Sequence, residues 1–323
     1  MSAIELRGAL RSRLALLAGL LLAGLLLVPA LVAATPAVTP QQALLLMGET
    51  GRSLAYEGIF TYEHGGLLRT VQVQHAVVAG QSRERLVFLN GPYREIIYLD
   101  GSSCAQGAPL RDLDIRDAAD IDVIERHYQL SLKGIDRVAG REVQLLYLEP
   151  RDELRYGHVF GLDRETGMLL QSMLVGDDGR VLERFQFSDI RMDVALDESL
   201  FDTPPSEQTT VIEHHCQRER ALAEAESSRW RAGWLPPGFQ LTAMARDVQP
   251  GRDSMTFTDG LAVFSVFVDT ERGTDLPELQ AQRGATVAFL AKQTIDGADY
   301  AISVVGEVPP HTAQRVALSL SPL

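Results

Sequence analysis

The sequence predicts a mainly β protein of the α+β class: a large, curved antiparallel sheet with helices, followed by a small C-terminal α+β domain. Three observations predict it. Between residues 56 and 187, runs of period-two hydrophobicity are separated by turn residues at roughly 8–12-residue spacing, the pattern of an antiparallel meander and not of βαβ units. A polar stretch, 201–229, interrupts that pattern. After it a shorter set of strand-like runs ends in a helix-like segment. The chain has 323 residues, 46% of them apolar, enough for two domains with cores of their own.

Taken in order, residues 1–34 read as a secretory signal peptide. Arg7, Arg11 and Arg13 precede an apolar run over 14–28, Pro29 breaks it, and Val32-Ala33-Ala34 supplies a small-residue exit with cleavage after Ala34. An uncleaved membrane anchor is the alternative. No cysteine lies near that exit to carry a lipid. The mature protein is therefore expected in the periplasm. Removal of this segment takes away three arginines and Glu5, leaving 27 basic and 42 acidic residues, net −15.

Thr39-Pro40-Gln41-Gln42 is a helix start, with Thr39 as N-cap, proline at the first helical position and glutamine three residues after the cap. Leu44 and Met47 carry the helical spacing to about Ser53. Tyr56, Phe60 and Tyr62 then alternate with polar residues, His64-Gly65-Gly66 reads as a hairpin turn, and Val71, Val73 and Val77 form the returning strand. Further strands are expected at 85–89, 95–99, 142–149, 154–162, 168–175 and 180–187. The stretch 111–128 lacks alternation and reads as a short helix and loop. The predicted domains are 35–200 and 230–323, joined by a linker over 201–229 whose low hydrophobicity supports no packed core. In the second domain, strands are expected at 239–246, 254–258, 261–269, 285–292 and 300–305. Asp259-Gly260 and Asp296-Gly297 are two-residue hairpin signals. Residues 270–279 read as a mobile acidic loop, and 312–318 as a terminal helix.

Composition excludes some functions. Thirty basic against 43 acidic residues give a net charge of −13, opposite to the footprint of a nucleic-acid-binding protein. The sequence has no G-x-S-x-G elbow, Walker loop, G-x-G-x-x-G turn, H-E-x-x-H helix or C-x-x-C pair. Glu213-His214-His215-Cys216 has metal-ligand chemistry, but adjacent side chains diverge and no second ligand cluster accompanies it. No metal, cofactor or catalytic residue is expected. Cys104 and Cys216 are the only cysteines, and an oxidising compartment allows them a disulfide or leaves two thiols.

Two binding surfaces are expected. A curved sheet encloses ligand cavities when it closes far enough, and Phe60, Tyr62, Phe88, Tyr98 and Phe160 are candidates to line a lipid-sized one. Arg83, Arg85 and Arg94 would offset the chain's negative charge at its mouth. In the second domain, Trp234 and Phe239 beside Pro236-Pro237 suit a protein interface, or the packing of the domain's first segment.

Several segments resemble the MucB/RseB family of periplasmic sigma-E regulatory proteins. They are Gly91-Pro92-Tyr93-Arg94-Glu95, Asp136-Arg137-Val138-Ala139-Gly140-Arg141-Glu142, Pro150-Arg151-Asp152 with Arg155-Tyr156-Gly157, Leu162-Asp163-Arg164-Glu165-Thr166-Gly167, and Gly179-Arg180-Val181-Leu182-Glu183. In the second domain they are Trp234-Leu235-Pro236-Pro237-Gly238-Phe239, Asp259-Gly260-Leu261 and Val305-Gly306-Glu307-Val308-Pro309-Pro310. The resemblance implies a first domain similar to the lipoprotein carriers LolA and LolB. It implies a non-enzymatic regulator that binds the periplasmic part of a transmembrane anti-sigma factor of the MucA/RseA type and shields it from proteolysis. Release would follow envelope stress, on binding of lipid or lipopolysaccharide. A periplasmic lipid or lipoprotein carrier is the alternative, and a homo-oligomer stays open.

Overall fold

The structure, a computed structural model, describes residues 38–99, 115, 117–202, 204–213, 229–249, 251–269 and 277–323. Within it Thr39–Leu323 is one compact unit. The expected signal segment, both cysteines, and His214 and His215 lie outside the described residues.

Helix α1 (Pro40–Ser53) begins as its sequence dictates. The Gln42 backbone N–H donates to Thr39 Oγ1 at 3.1 Å, and the Thr39 N–H donates to Gln42 Oε1 at 2.9 Å, closing a capping box. Strands β1 (Tyr56–His64) and β2 (Leu67–Val78) meet at Gly65 and Gly66, whose φ angles of 54° and 78° suit glycine. Strands β3 (Gln81–Phe88) and β4 (Glu95–Leu99) complete a first meander. Helix α2 (Ala118–His127) follows, capped by the Asp117 carboxylate. A second meander runs through β5 (Tyr128–Val138), β6 (Arg141–Pro150), β7 (Gly157–Asp163), β8 (Leu169–Val175) and β9 (Val181–Met192). β9 returns beside β1, fusing the meanders, and β10 (Thr209–Glu213) pairs in parallel with β4. The result is one ten-stranded sheet, order β10-β4-β3-β2-β1-β9-β8-β7-β6-β5.

The second lobe starts with β11 (Trp230–Ala232). It continues through β12 (Gln240–Gln249), β13 (Arg252–Thr258), β14 (Val263–Asp269), β15 (Leu279–Arg283), β16 (Thr286–Ile295) and β17 (Ala298–Gly306), then α3 (Pro310–Leu318) and β18 (Leu320–Pro322). Its six-stranded sheet has the order β12-β13-β14-β17-β16-β15, and β11 pairs with β18. Helix α3 buries Ala313, Val316 and Ala317 in the core of this lobe. The first lobe has two main apolar clusters. One holds Phe60, Val71, Val73, Phe185 and Phe187. The other lies under α1 and α2, with Leu44, Met47, Leu146, Leu148 and Phe160.

The fold class is the expected one, and four local expectations change. β5 was not anticipated: Tyr128, Leu130 and Leu132 alternate, but Gly134 breaks the register, with a shift between Leu132 and Ile135. The stretch expected to be an unpacked linker includes Phe201, 1% exposed against Ala76 and Ile97, and the strand β10. One buried aromatic and the free edge of β4 hold the described part up to Glu213, and 214–228 lie outside the described residues. β15 was also not anticipated: it begins at Leu279, the last residue of the stretch read as an acidic loop, of which 270–276 lie outside the described residues, and it is held by pairing with β16 although all five of its residues are exposed. Asp296-Gly297 is the expected two-residue turn, whereas Asp259-Gly260 opens a longer loop between Thr258 and Val263.

Candidate functional site

The Asp259 loop explains what the sheet pattern alone does not. Asp259 Oδ1 accepts the N–H groups of Leu261 at 3.0 Å and Ala262 at 2.9 Å, so the carboxylate shapes its own loop. Its Oδ2 faces the first lobe and accepts Arg155 Nη1 at 2.5 Å and Tyr128 Oη at 3.1 Å. Arg155 also donates to both Asp152 oxygens, at 3.0 and 3.1 Å, and to the Pro237 carbonyl at 2.6 Å. Its guanidinium lies 5.6 Å from the Tyr128 ring centroid and 5.4 Å from that of Phe239. The side chains of Arg155 and Asp259 are both 0% exposed. Burial alone lowers the pKa of Arg155, but the Asp152 hydrogen bonds and the field of Asp259 reverse this and raise it. Burial, then Asp259, raise the Tyr128 phenol well above its ordinary value. This cluster is a charged lock between lobes. Around it Leu261 enters the apolar cluster beneath α1, and Thr312 Oγ1 donates to the Leu154 carbonyl at 3.1 Å. A Cβ on Gly238, at φ 91°, would meet the His127 ring at 2.3 Å, so the loop approaches α2 only as glycine.

His158 lies behind the lock, its ring 5.9 Å from Tyr128 and 5.8 Å from Phe160. It is buried, its Nε2 has no hydrogen-bond partner, and burial pulls its pKa down to about 4. A second junction closes another part of the seam. Glu183, 4% exposed, accepts the Ala285 N–H at 3.0 Å, the Tyr62 hydroxyl, and His64 Nδ1 at 2.7 Å. Gln282 Nε2 donates to Tyr156 Oη at 3.3 Å beside it.

The five aromatic candidates for a lipid cavity do not share one environment. Phe60 and Tyr98 are buried in one cluster, and Phe60 packs at 4.8 Å from the Phe185 ring. Phe160 is buried in the other cluster, beneath α1. Tyr62 and Phe88 are partly exposed and flank the first cluster. Of the basic candidates, Arg85 is engaged by Glu95 and Gln74, and Arg83 approaches Asp202 at 3.7 Å. Arg94 lies over the Phe88 ring at 5.1 Å. In the second lobe Phe239 is 6% exposed and packs against Phe264, so it is core and not a projecting anchor. Trp234 is half-buried, with the Arg315 guanidinium 3.9 Å over its ring and Ser319 bonding its backbone. Glu213 ends β10. Among the described residues no group of three His, Cys, Asp or Glu side chains could hold a metal.

Sequence reasoning missed the lock, but its parts were in view. Asp152 and Arg155, Pro237 and Gly238, and Asp259 and Leu261 belong to three separate segments that resemble one family. The structure brings these three segments to one place.

Comparison with known proteins bears out the family resemblance. The family profile of the MucB/RseB N-terminal domain matches residues 39–205, and that of the MucB/RseB C-terminal domain matches residues 224–321. The sigma factor AlgU regulatory protein MucB of Pseudomonas aeruginosa is 36% identical over 316 residues, covering 94% of this chain and 96% of that protein. The sigma-E factor regulatory protein RseB of Escherichia coli K12 is 26% identical over 306 residues, 89% of this chain and 92% of that one. Among solved structures, MucB in complex with MucA(peri) superposes with a TM-score of 0.72 at 36% identity, over 88% of this chain and 99% of that one. A structure of MucB alone gives 0.65 at 33% identity, over 88% and 98%. These matches first define a class: a two-domain, strand-rich protein related to sigma-factor regulators. The same matches give the family, and the chain belongs to the MucB/RseB family.

Proposed function

We propose that the chain is a periplasmic regulator that binds the periplasmic part of a transmembrane anti-sigma factor. Bound, it keeps that segment from the protease that starts regulated proteolysis. Lipid or lipopolysaccharide released under envelope stress then weakens the complex, and the sigma factor is freed. The observation that carries this reading is the match to MucB in complex with MucA(peri), over nearly all of that MucB chain. The physical form of the switch is linkage. If partner and lipid favour different arrangements of the two lobes, each weakens the other by the same factor. The seam supplies groups whose pairing would differ between such arrangements, Arg155 with Asp259 and Glu183 with His64.

Titration calorimetry with the periplasmic part of the cognate anti-sigma factor tests the reading. Binding is expected, and saturating acylated lipid should weaken it by roughly 5–150-fold, the usual span of allosteric coupling. No binding removes the regulator reading. Binding that lipid leaves unchanged reduces it to passive shielding.

A further inference from the structure

We infer that the end of the first lobe formed by the β1–β2 and β3–β4 turns is a contact surface for an anionic lipid bilayer. Four large apolar side chains stand out there: Leu67, Leu68, Leu89 and Tyr93 are 43%, 56%, 49% and 52% exposed. Single exposed leucines are ordinary on soluble proteins, but these four side chains come from two adjoining turns. The Leu89 N–H donates to the Thr70 carbonyl at 2.8 Å, and Asn90 bridges the turns, accepting from the Thr70 N–H at 2.9 Å and donating to the Leu68 carbonyl at 2.8 Å. Leu67 and Leu68 are consecutive in a strand and so point to opposite faces of it.

Three exposed arginines surround this end. Arg69 follows Leu68, and its guanidinium lies against Gly91 of the β3–β4 turn. Arg94 lies over Phe88 in the same turn region. Arg283, on the β15–β16 turn, packs against Gly65 of the β1–β2 turn. None of the three is in an ion pair with a carboxylate of the described residues. In a chain of net charge −13, such a concentration is local. The nearby acids are Glu63, opposite Leu68, Glu95, held by Arg85, and Glu183, held in the seam.

Leucines and a tyrosine at strand ends, ringed by arginines, match the depth profile of a membrane interface. Apolar groups enter the acyl boundary, tyrosine sits at headgroup level and arginine meets phosphate. The two-faced placement of Leu67 and Leu68 favours a fluid layer over a folded protein, because one rigid partner face does not cover both sides of a hairpin end. A weak contact of this kind would hold the protein near the membrane that its proposed partner spans, and among the described residues no helix is long and apolar enough to cross that membrane.

Flotation of Thr39–Leu323, the compact unit without the apolar N-terminal run, tests this directly. Vesicles of equal parts phosphatidylglycerol and phosphatidylethanolamine are compared with vesicles of phosphatidylcholine. The protein should float with the anionic vesicles and be released by salt. The triple variant Arg69→Gln, Arg94→Gln, Arg283→Gln should bind on the order of a hundredfold more weakly. Leu68→Ser with Leu89→Ser should also lose binding, and thermal melts check that both variants fold. All replaced side chains are exposed, so the charge variant stands if the leucine variant does not fold. Failure of the unaltered protein to float, equal binding to both vesicle types, or full binding by the triple variant overturns the inference. So does a triple variant that still floats but loses the anti-sigma domain, which would assign the surface to a protein. The measurement needs no anti-sigma factor, so its failure is separate from failure of the proposed function.

Discussion

The two charged junctions across the seam use similar groups in different surroundings. Arg155 and Asp259 are sealed from solvent, and the guanidinium makes four hydrogen bonds, to Asp152, Asp259 and the Pro237 carbonyl. At the other junction Glu183 is equally buried, but the His64 side chain that meets it is 25% exposed. Water competes at one junction and not at the other. A sealed ion pair is costly to desolvate and costly to break by halves, so it contributes more to a unique docking geometry than to net stability. A half-open pair adds less and rearranges at smaller cost. The difference assigns the sealed lock to fixing where the lobes meet, and the open junction to adjustment.

The largest expected effect comes from breaking the lock by halves. Arg155→Met should cost ~3–5 kcal/mol, because Asp259 is left buried and unpaired. The double variant Arg155→Met, Asp259→Leu should recover much of that loss. Urea unfolding of the two single variants and the double variant gives the coupling energy. Full additivity would show that the two side chains act independently and that the lock is only a crystal-like contact of two separately stable lobes.

Acid should act first at the same end of the seam. The folded pKa of His158, about 4, lies below its unfolded value of 6.5, so the unfolded chain binds the extra proton between them. Stability from this group is therefore complete above about pH 6.5 and is lost as the pH falls towards 4, by up to ~3 kcal/mol. His158→Leu should flatten that part of the stability–pH curve. An unchanged slope in the variant would mean that other groups dominate acid unfolding.

How much of this was legible in the sequence depends on distance along the chain. The α1 capping box, the Gly65-Gly66 turn and the Asp296-Gly297 turn are decided within a few residues, and each formed as read. β10 and β15 are decided by the edges they pair with, and neither has an apolar alternation to announce it. The aromatic residues were visible as a class, yet their assignment to different clusters depends on where α1 lands. Arg155 and Asp259 are 104 residues apart; locally Arg155 reads as part of a strand and Asp259 as a turn residue. Only the resemblance marked their segments, and it did so without pairing them.

The open junction should respond more mildly. Glu183→Gln keeps the size of the side chain and an acceptor for the Ala285 N–H, but removes the charge that His64 and Tyr62 meet. A loss of ~1–2 kcal/mol is expected. If it equals the loss from Arg155→Met, the contrast between the junctions fails.

The smallest effect should be that of His64→Ala. Its ring shares Glu183 Oε1 with the Ala285 N–H and stacks near Tyr62 at 5.9 Å, in partial contact with water. Because Glu183 keeps two other donors, its carboxylate is not stranded when His64 is lost, and ~0.5–1 kcal/mol is expected. Lobe orientation, followed by small-angle scattering, should nevertheless shift more readily on partner binding in this variant than in the unaltered protein. The reason is that the replacement loosens the adjustable end while the Arg155–Asp259 end remains the pivot. If scattering instead shows the lobes apart in the free variant, the half-open pair is holding the seam, and the roles assigned to the two junctions must be exchanged.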